Sequence, residues 1–206
     1  MPLALPEPTR LEAGCNDTPT GSLAADALRS AAEADLAIVA GGEVANAVWQ
    51  GLLSPEDVES VFSGDLRAAA VSVTGPQLRT LLEELLSHVT VDMQTERIDE
   101  ERSAFEGFPN VSGFLLRYDP TAPVGQRVVR VTDADGTALD LEDTESVYRL
   151  AGSTALLSGG YGGTEQAYEE LPFCFSDALY AYLDRCGADM KSLDWDRVTA
   201  IGVHER

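Results

Sequence analysis

Glycine, rather than a nucleophile, is the residue type whose spacing stands out. Ser158-Gly159-Gly160-Tyr161-Gly162-Gly163 follows the run Val147-Tyr148-Arg149-Leu150-Ala151, which reads as a buried strand. Between 159 and 163 only Tyr161 carries a Cβ, so the backbone can take positive φ and let a ligand or another segment approach closely. Alone, such a loop reads as a tight surface turn. An earlier apolar run, Leu36 to Ala40, also ends in a glycine pair, Gly41-Gly42. Two strands ending in glycines suggest two loops that could meet at one site. Conventional catalytic groups do not assemble. His88 and His204 are the only histidines and neither sits among Asp, Asn and His; Cys15, Cys174 and Cys186 share no metal-ligand spacing. Two-metal hydrolysis needs several such ligands around two ions, and Ser158 has no visible base partner. The residues thus point to no catalytic side chain, no metal and no cofactor.

Charge narrows the partners. The 206 residues include 35 acidic and 14 basic ones, a net charge of −21, with Lys191 the single lysine. Such a surface repels phosphate backbones and anionic lipid heads, which argues against nucleic acid and against a membrane surface. No apolar run approaches the ~18–20 residues that a membrane span requires. Met1-Pro2-Leu3-Ala4-Leu5-Pro6 has neither the basic nor the apolar region of a signal peptide. Three cysteines, an odd number, read as reduced structural thiols. The expectation is a cytoplasmic protein, or an extracytoplasmic one if a leader was removed.

The elements that must position the loops follow in order. Prolines at 2, 6, 8 and 19 make residues 1–19 an extended lead-in to a domain over 20–206. Thr20 is the expected cap of a helix from Ser22 to Glu33, with Leu23, Ala27, Leu28 and Ala31 on one face. Ser54-Pro55-Glu56-Asp57 starts a short helix to about Phe62. Arg67 to Val73 reads as a strand, and Pro76 opens an amphipathic helix bearing Leu78, Leu81, Leu82, Leu85 and Leu86. Residues 92–106 are polar without apolar period and read as a mobile insertion or irregular loop. Phe114 to Tyr118 and Arg127 to Thr132 read as paired strands, with Asp133-Ala134-Asp135-Gly136 as a hairpin turn. A helix over Phe175 to Cys186 and a last strand within Trp195 to Val203 complete the chain. Strands and helices alternate without an internal repeat or linker: one α+β domain, a mixed β-sheet flanked by helices.

These landmarks, in this order, resemble the C-terminal domain of the 5′-nucleotidase / UDP-sugar hydrolase / cyclic-nucleotide phosphodiesterase family. The stretches that carry the resemblance are GSLAADAL (21–28), DLAIVAGG (35–42), VSVTGPQLRTLLE (71–83), FPNVSGFLLRYDP (108–120), GQRVVRV (125–131) and YRLAGSTALLSGGYGG (148–163). They span roughly 20–165. The resemblance implies a domain that closes over a nucleotide, stacks its base between two phenylalanines and holds its phosphate with arginines. In that family the metal ions and the nucleophilic water belong to an N-terminal metallophosphatase domain, for which this chain shows no ligand set.

Compared position by position, most of the family's binding side chains are replaced. In the family's Asn-Gly-Gly-x-x-Arg pattern, Ala40 stands for the asparagine and Ala45 for the arginine. Ungapped, Pro-Phe-Gly-Asn falls on Ser63-Gly64-Asp65-Leu66, so Gly64 takes the first stacking position. Gly-Gly-Asp-Gly-Phe has become Gly-Gly-Tyr-Gly-Gly, so Gly163 takes the second. Each lost stacking face forfeits ~1–3 kcal/mol on the scale of base–aromatic contacts, and the arginines were the charge-assisted phosphate contacts. Phe62 and Tyr161 each lie two residues before an expected phenylalanine. Either they rebuild an aromatic clamp, or Phe62 ends its helix in the core and Tyr161 is an exposed loop residue. The candidate cleft is therefore Gly41, Gly42, Glu43, Phe62, Gly64, Asp65, Ser158, Gly159, Gly160, Tyr161 and Gly163, with Glu43 and Asp65 favouring a neutral or cationic small molecule. The chain reads as a free-standing, noncatalytic binding domain; the alternative is an accessory subunit of a separate metallophosphatase chain.

Overall fold

The computed structural model describes residues 15–48, 54–162, 165–186 and 196–203. Most of the expected lead-in, Trp195, His204 and Gly163 lie outside them. Five strands form the central sheet: β1 (Leu36–Ala40), β2 (Arg67–Thr74), β5 (Pro109–Ser112), β8 (Val147–Ser153) and β9 (Glu169–Cys174), in the order β5-β1-β8-β2-β9. β1 runs parallel to β8, pairing Leu36 with Leu150 and Ala37 with Ala151, and the other neighbours are antiparallel. A three-stranded sheet holds β6 (Leu115–Tyr118) between β7 (Val128–Thr132) and β10 (Val198–Ala200), and β3 (Val91–Asp92) pairs with β4 (Arg97–Ile98). The domain is α+β, as expected.

Side-chain alternation along the central strands divides the core between the two sheet faces. Ala37, Val39, Ala68, Ala70 and Ala151 face one way and pack with Leu23, Leu28, Phe62, Phe175 and Leu179. These small residues let α1 (Pro19–Ala31) and α6 (Phe175–Cys186) lie close to the sheet. Leu36, Ile38, Ala69, Val71 and Leu150 face the other way, against Leu78, Leu82 and Leu85 of α3 (Gly75–Leu86) and against Leu116 and Tyr118. No helix among the described residues is long and apolar enough to cross a membrane.

Local chemistry sets the element ends. α1 begins at Pro19, three residues earlier than expected. Thr18, not Thr20, is its cap, accepting the Gly21 amide at 3.0 Å, while Thr20 is buried and accepts the Val48 amide at 3.3 Å. Ser54 starts α2 (Pro55–Glu59) as expected, and Asp57 returns the bond to make the cap reciprocal; the helix ends before Phe62. The stretch 92–106 is ordered rather than a loose insertion. It holds the β3–β4 hairpin apart from Val91, and the short helix α4 (Glu100–Ser103). Ser103 accepts the Thr90 amide at 2.8 Å and donates to the Thr90 carbonyl at 3.1 Å. The strand from Val147 continues to Ser153 and leads directly into α5 (Thr154–Leu157).

Three polar contacts fasten the layers. Buried Asn110 on β5 accepts the Thr18 amide at 2.8 Å and donates to the Val39 carbonyl at 3.2 Å, joining α1, β1 and β5. The buried Glu83 carboxylate on α3 accepts the Arg127 and Val128 amides at 2.9 and 2.8 Å, tying the helix to β7. Arg197 reaches both Asp26 oxygens at 2.7 and 2.9 Å and the Val111 carbonyl at 2.9 Å, which anchors β10. Replacing a buried double-duty amide leaves both backbone partners unsatisfied, at about 1–3 kcal/mol each. Asn110→Ala is expected to lose about 2–4 kcal/mol in urea unfolding; a change below about 0.5 kcal/mol would show that water replaces the amide.

Candidate functional site

Parallel pairing carries β1 and β8 to the same end of the sheet; β1 continues straight into a glycine segment and β8 reaches one through a single helical turn. After β1 the chain makes one 3-10 turn, Gly41–Glu43. After β8 comes α5, which the turn at Ser158–Gly162 terminates. Within it, Gly159 and Gly162 have φ of +82° and +78°, values that a side chain would strain. Antiparallel pairing of β2 with β8 sets Ala68 opposite Ser153, so the segment 62–66 enters β2 at this same end. The three candidate segments therefore converge.

Glu43 joins two of them. Its carboxylate is fully buried, accepting the Ala40 amide on Oε2 at 2.9 Å and the Ser153 and Tyr161 hydroxyls on Oε1, the tyrosine contact being 3.3 Å. Burial drives the Glu43 carboxyl up to about 7, although all three hydrogen bonds pull it down. Burial, with Glu43 beside it, also pushes the Tyr161 hydroxyl well above the usual phenol range. Glu43 is thus a connector inside the protein rather than an acidic wall exposed to a ligand.

The first glycine pair is covered by the protein's own chain. The Gly41 amide donates to the Phe108 carbonyl at 2.8 Å and the Gly42 amide to the Glu106 carbonyl at 2.7 Å, which prolongs the β1–β5 ladder. A Cβ on Gly42 would stand 2.5 Å from Glu106 Cβ, so glycine is required there by close approach of backbone. Phe105, next in this covering segment, stacks on His88 with ring centroids 4.0 Å apart.

The aromatic clamp does not form. Phe62 is buried, bridges Val44 in antiparallel fashion, and meets Phe175 edge-on at 5.6 Å. It belongs to the α1–α6 face of the sheet, whereas Tyr161 packs on the α3 face. The sheet itself lies between the two rings. Tyr161 is no exposed loop residue either; it is partly buried and hydrogen-bonded to Glu43. Gly64, with φ of +120°, and Asp65 are exposed, as are Ser158 and Gly160; Gly159 is partly so. The carboxylates of Asp65 and Asp177, together with burial, push the Cys174 thiol up to about 11, and Asp177 accepts the Cys174 amide at 3.0 Å. Reading the sequence missed Ser153 and the covering segment 105–108. Ser153 is a strand-end hydroxyl of no special spacing, and the segment lay within and beside a stretch read as loose.

The structural class is an α+β domain with a mixed five-stranded sheet, whose two parallel neighbours are joined beyond their ends by Glu43. Its relatives are specific. Residues 4–169 match the family described as 5′-nucleotidase, C-terminal domain, and the chain belongs to that family. The 5′-nucleotidase precursor from Thermus thermophilus superposes with a TM-score of 0.71 at 19% identity, covering 96% of this chain and 38% of that one. A putative 5′-nucleotidase from Staphylococcus aureus, solved with alpha-ketoglutarate, gives 0.72 at 16% identity over 93% of this chain and 38% of that one. Haemophilus influenzae NAD nucleotidase gives 0.66 at 16% identity, over 89% and 33% respectively. The chain thus spans about a third to two fifths of these solved proteins. No curated protein sequence matches it.

Two expectations follow. Phe62→Ala should cost about 3–5 kcal/mol as a large core truncation, whereas Tyr161→Phe, which removes one hydroxyl, should cost about 1 kcal/mol; equal costs in denaturant titrations would contradict the placement of the rings. The second concerns pH. Glu43 holds in the folded state a proton that the unfolded chain releases near 4.5. Its contribution to stability therefore falls as pH rises from 4.5 to about 7 and is flat above, a span of about 3 kcal/mol. Asp17, raised to about 6 chiefly by burial, adds a slope of the same sign. Unfolding of Glu43→Gln from pH 4.5 to 8 should show the smaller decline with pH; a difference from wild type that stays constant over that range would refute the assignment.

Proposed function

We propose that this chain is a ligand-binding domain of the family without turnover of its own, with its site at the end of the sheet where Gly41–Glu43, the segment 62–65 and the turn 158–162 lie. The observation that carries this reading is the combination of an inherited scaffold with replaced side chains: Ala40, Ala45, Gly64 and Gly163 occupy the positions at which the family resemblance implies nucleotide contacts. Among the described residues, no three His, Cys, Asp or Glu side chains stand together as metal ligands, so these residues do not fit the two-metal centre of the hydrolases. The exposed Asp65 and a net charge of −21 favour a neutral or cationic small molecule over a phosphate ester.

A second reading is favoured by length. The solved nucleotidases are more than twice as long as the part matched here, and this chain would then complete a metallophosphatase unit that supplies the metal and the nucleophilic water. The two readings separate experimentally. Purified protein with AMP, UDP-glucose or a cyclic nucleotide and Mn²⁺ should release no product, and a thermal-shift screen should respond to neutral or cationic metabolites but not to nucleotides. Micromolar nucleotide binding would sink the first reading. A metallophosphatase co-purified from the native cell, whose rate rises when this chain is added back, would establish the second.

A further inference from the structure

The outer face of the three-stranded sheet carries cations on an anionic chain. Leu116, Tyr118, Val128, Val131 and Val198 turn inward to the core. On the opposite face the register sets Arg117 of β6 directly across from Arg130 of β7, with Thr199 of β10 on the other side of Arg117. Both arginines are exposed. The register then slips by one residue, so that Val129 and Arg130, consecutive in sequence, are both exposed between buried Val128 and Val131. A bulge of this kind re-aims a side chain. It leaves Val129 53% exposed beside the arginine pair, while Leu115, two residues along β6 from Arg117, is 39% exposed.

Like charges set directly across a strand pair disfavour it, and the chain has 35 acidic residues with which to neutralise them. None does: among the described residues neither arginine side chain makes a hydrogen bond or an ion pair. The flanking acids are committed to their own turns. Asp119 accepts the Thr121 amide and hydroxyl, Asp133 the Asp135 and Thr137 amides, and Asp140 the Glu142 amide. Elsewhere on the surface arginines do meet carboxylates, Arg79 with Glu142 and Arg149 with Glu169. We propose that this face docks a separate polypeptide that presents carboxylates among apolar side chains. Guanidinium forks match carboxylates in two-pronged fashion, and the exposed valine and leucine supply the apolar contact that keeps water from such pairs. A second copy of the chain fits poorly, because a two-fold contact through this face would set arginines against arginines on two bodies of charge −21 each. Nucleic acid and anionic membrane are repelled by the same net charge, which two cations do not offset. A small anion would meet a strand face rather than a concave site. The face belongs to a different sheet from the glycine turns, so its docking stands or falls apart from the reading proposed for them.

Titration of the full chain, followed by backbone amide chemical shifts, tests it. The probe is a soluble peptide in which Glu alternates with Leu, and the control is the same peptide with Lys for Glu. The amides of Leu115 to Tyr118, Val128 to Thr132 and Thr199 should move with the acidic peptide and stay still with the basic one. Raising the salt should weaken binding, and Arg117→Glu combined with Arg130→Glu should weaken it about tenfold or more while leaving the amides of the five-stranded sheet in place. No response at about 1 mM peptide, the weak end of specific affinities, overturns the proposal. So does an equal response in the double variant, or the same shifts produced by inorganic phosphate alone, which would make the face an anion site. Concentration-dependent dimers in sedimentation that Val129→Glu abolishes would give the face to a second copy and overturn it too. Should the double glutamate variant not fold, Arg117→Gln with Arg130→Gln takes its place, and wild-type affinity in that pair overturns it equally.

Discussion

The parallel register of β1 and β8 is the constraint on which the rest depends. Because Ala37 lies beside Ala151, both strands run out at the same end of the sheet, where Gly41–Glu43 follows β1 directly and the second glycine turn follows β8 after α5. A parallel neighbour cannot be reached by a hairpin, so the chain between β1 and β8 crosses over first: it adds β2 and β5 on either side of the parallel pair, with α3 and the strands β6 and β7 in the connections. The small residues on one face of the sheet centre, Ala68 and Ala70 with Ala151, follow from the same geometry, because α1 and α6 must come close to cover that face. Changing the register by one residue would turn Ile38 and Leu150 towards that crowded side and strand Tyr161 away from Glu43.

This dependence explains what could be read from the sequence. The five-residue strand Leu36 to Ala40 and the leucine face of α3 were legible because strong apolar pattern and clear punctuation coincide. β9 was not, since Glu-Glu-Leu-Pro-Phe-Cys carries two acids and a proline. Those residues suit an edge strand, where Pro172 has no central ladder to break. β5 was hidden in Pro-Asn-Val-Ser, four residues wholly buried by contacts from elsewhere in the chain. The stretch 92–106 read as loose because its order comes from long-range bonds such as Ser103 to Thr90, which leave no local period.

At the site, convergence of the loops was legible and side-chain direction was not. Glycine pairs at strand ends announce where backbone comes close, but they do not say to what. Here the answer is the protein itself: carbonyls of Glu106 and Phe108 take the glycine amides. Phe62 and Tyr161 share a spacing relative to the family's phenylalanines, yet a sheet separates them, because spacing along the chain carries no information about which face a loop turns to.

How the strand ends and the glycine turn are joined follows from the cost of buried polar groups. Each unpartnered amide or hydroxyl costs about 1–3 kcal/mol, so the groups gathered here must either stay wet or satisfy one another. Glu43 takes the second course, supplying both carboxylate oxygens to Ala40, Ser153 and Tyr161. A glutamine could accept from Ala40 and bond the hydroxyls as well, without the burial penalty that lifts the Glu43 carboxyl to about 7. What the carboxyl supplies in return is acceptor capacity: two oxygens that take three donors where the end of β1, the end of β8 and the glycine turn meet.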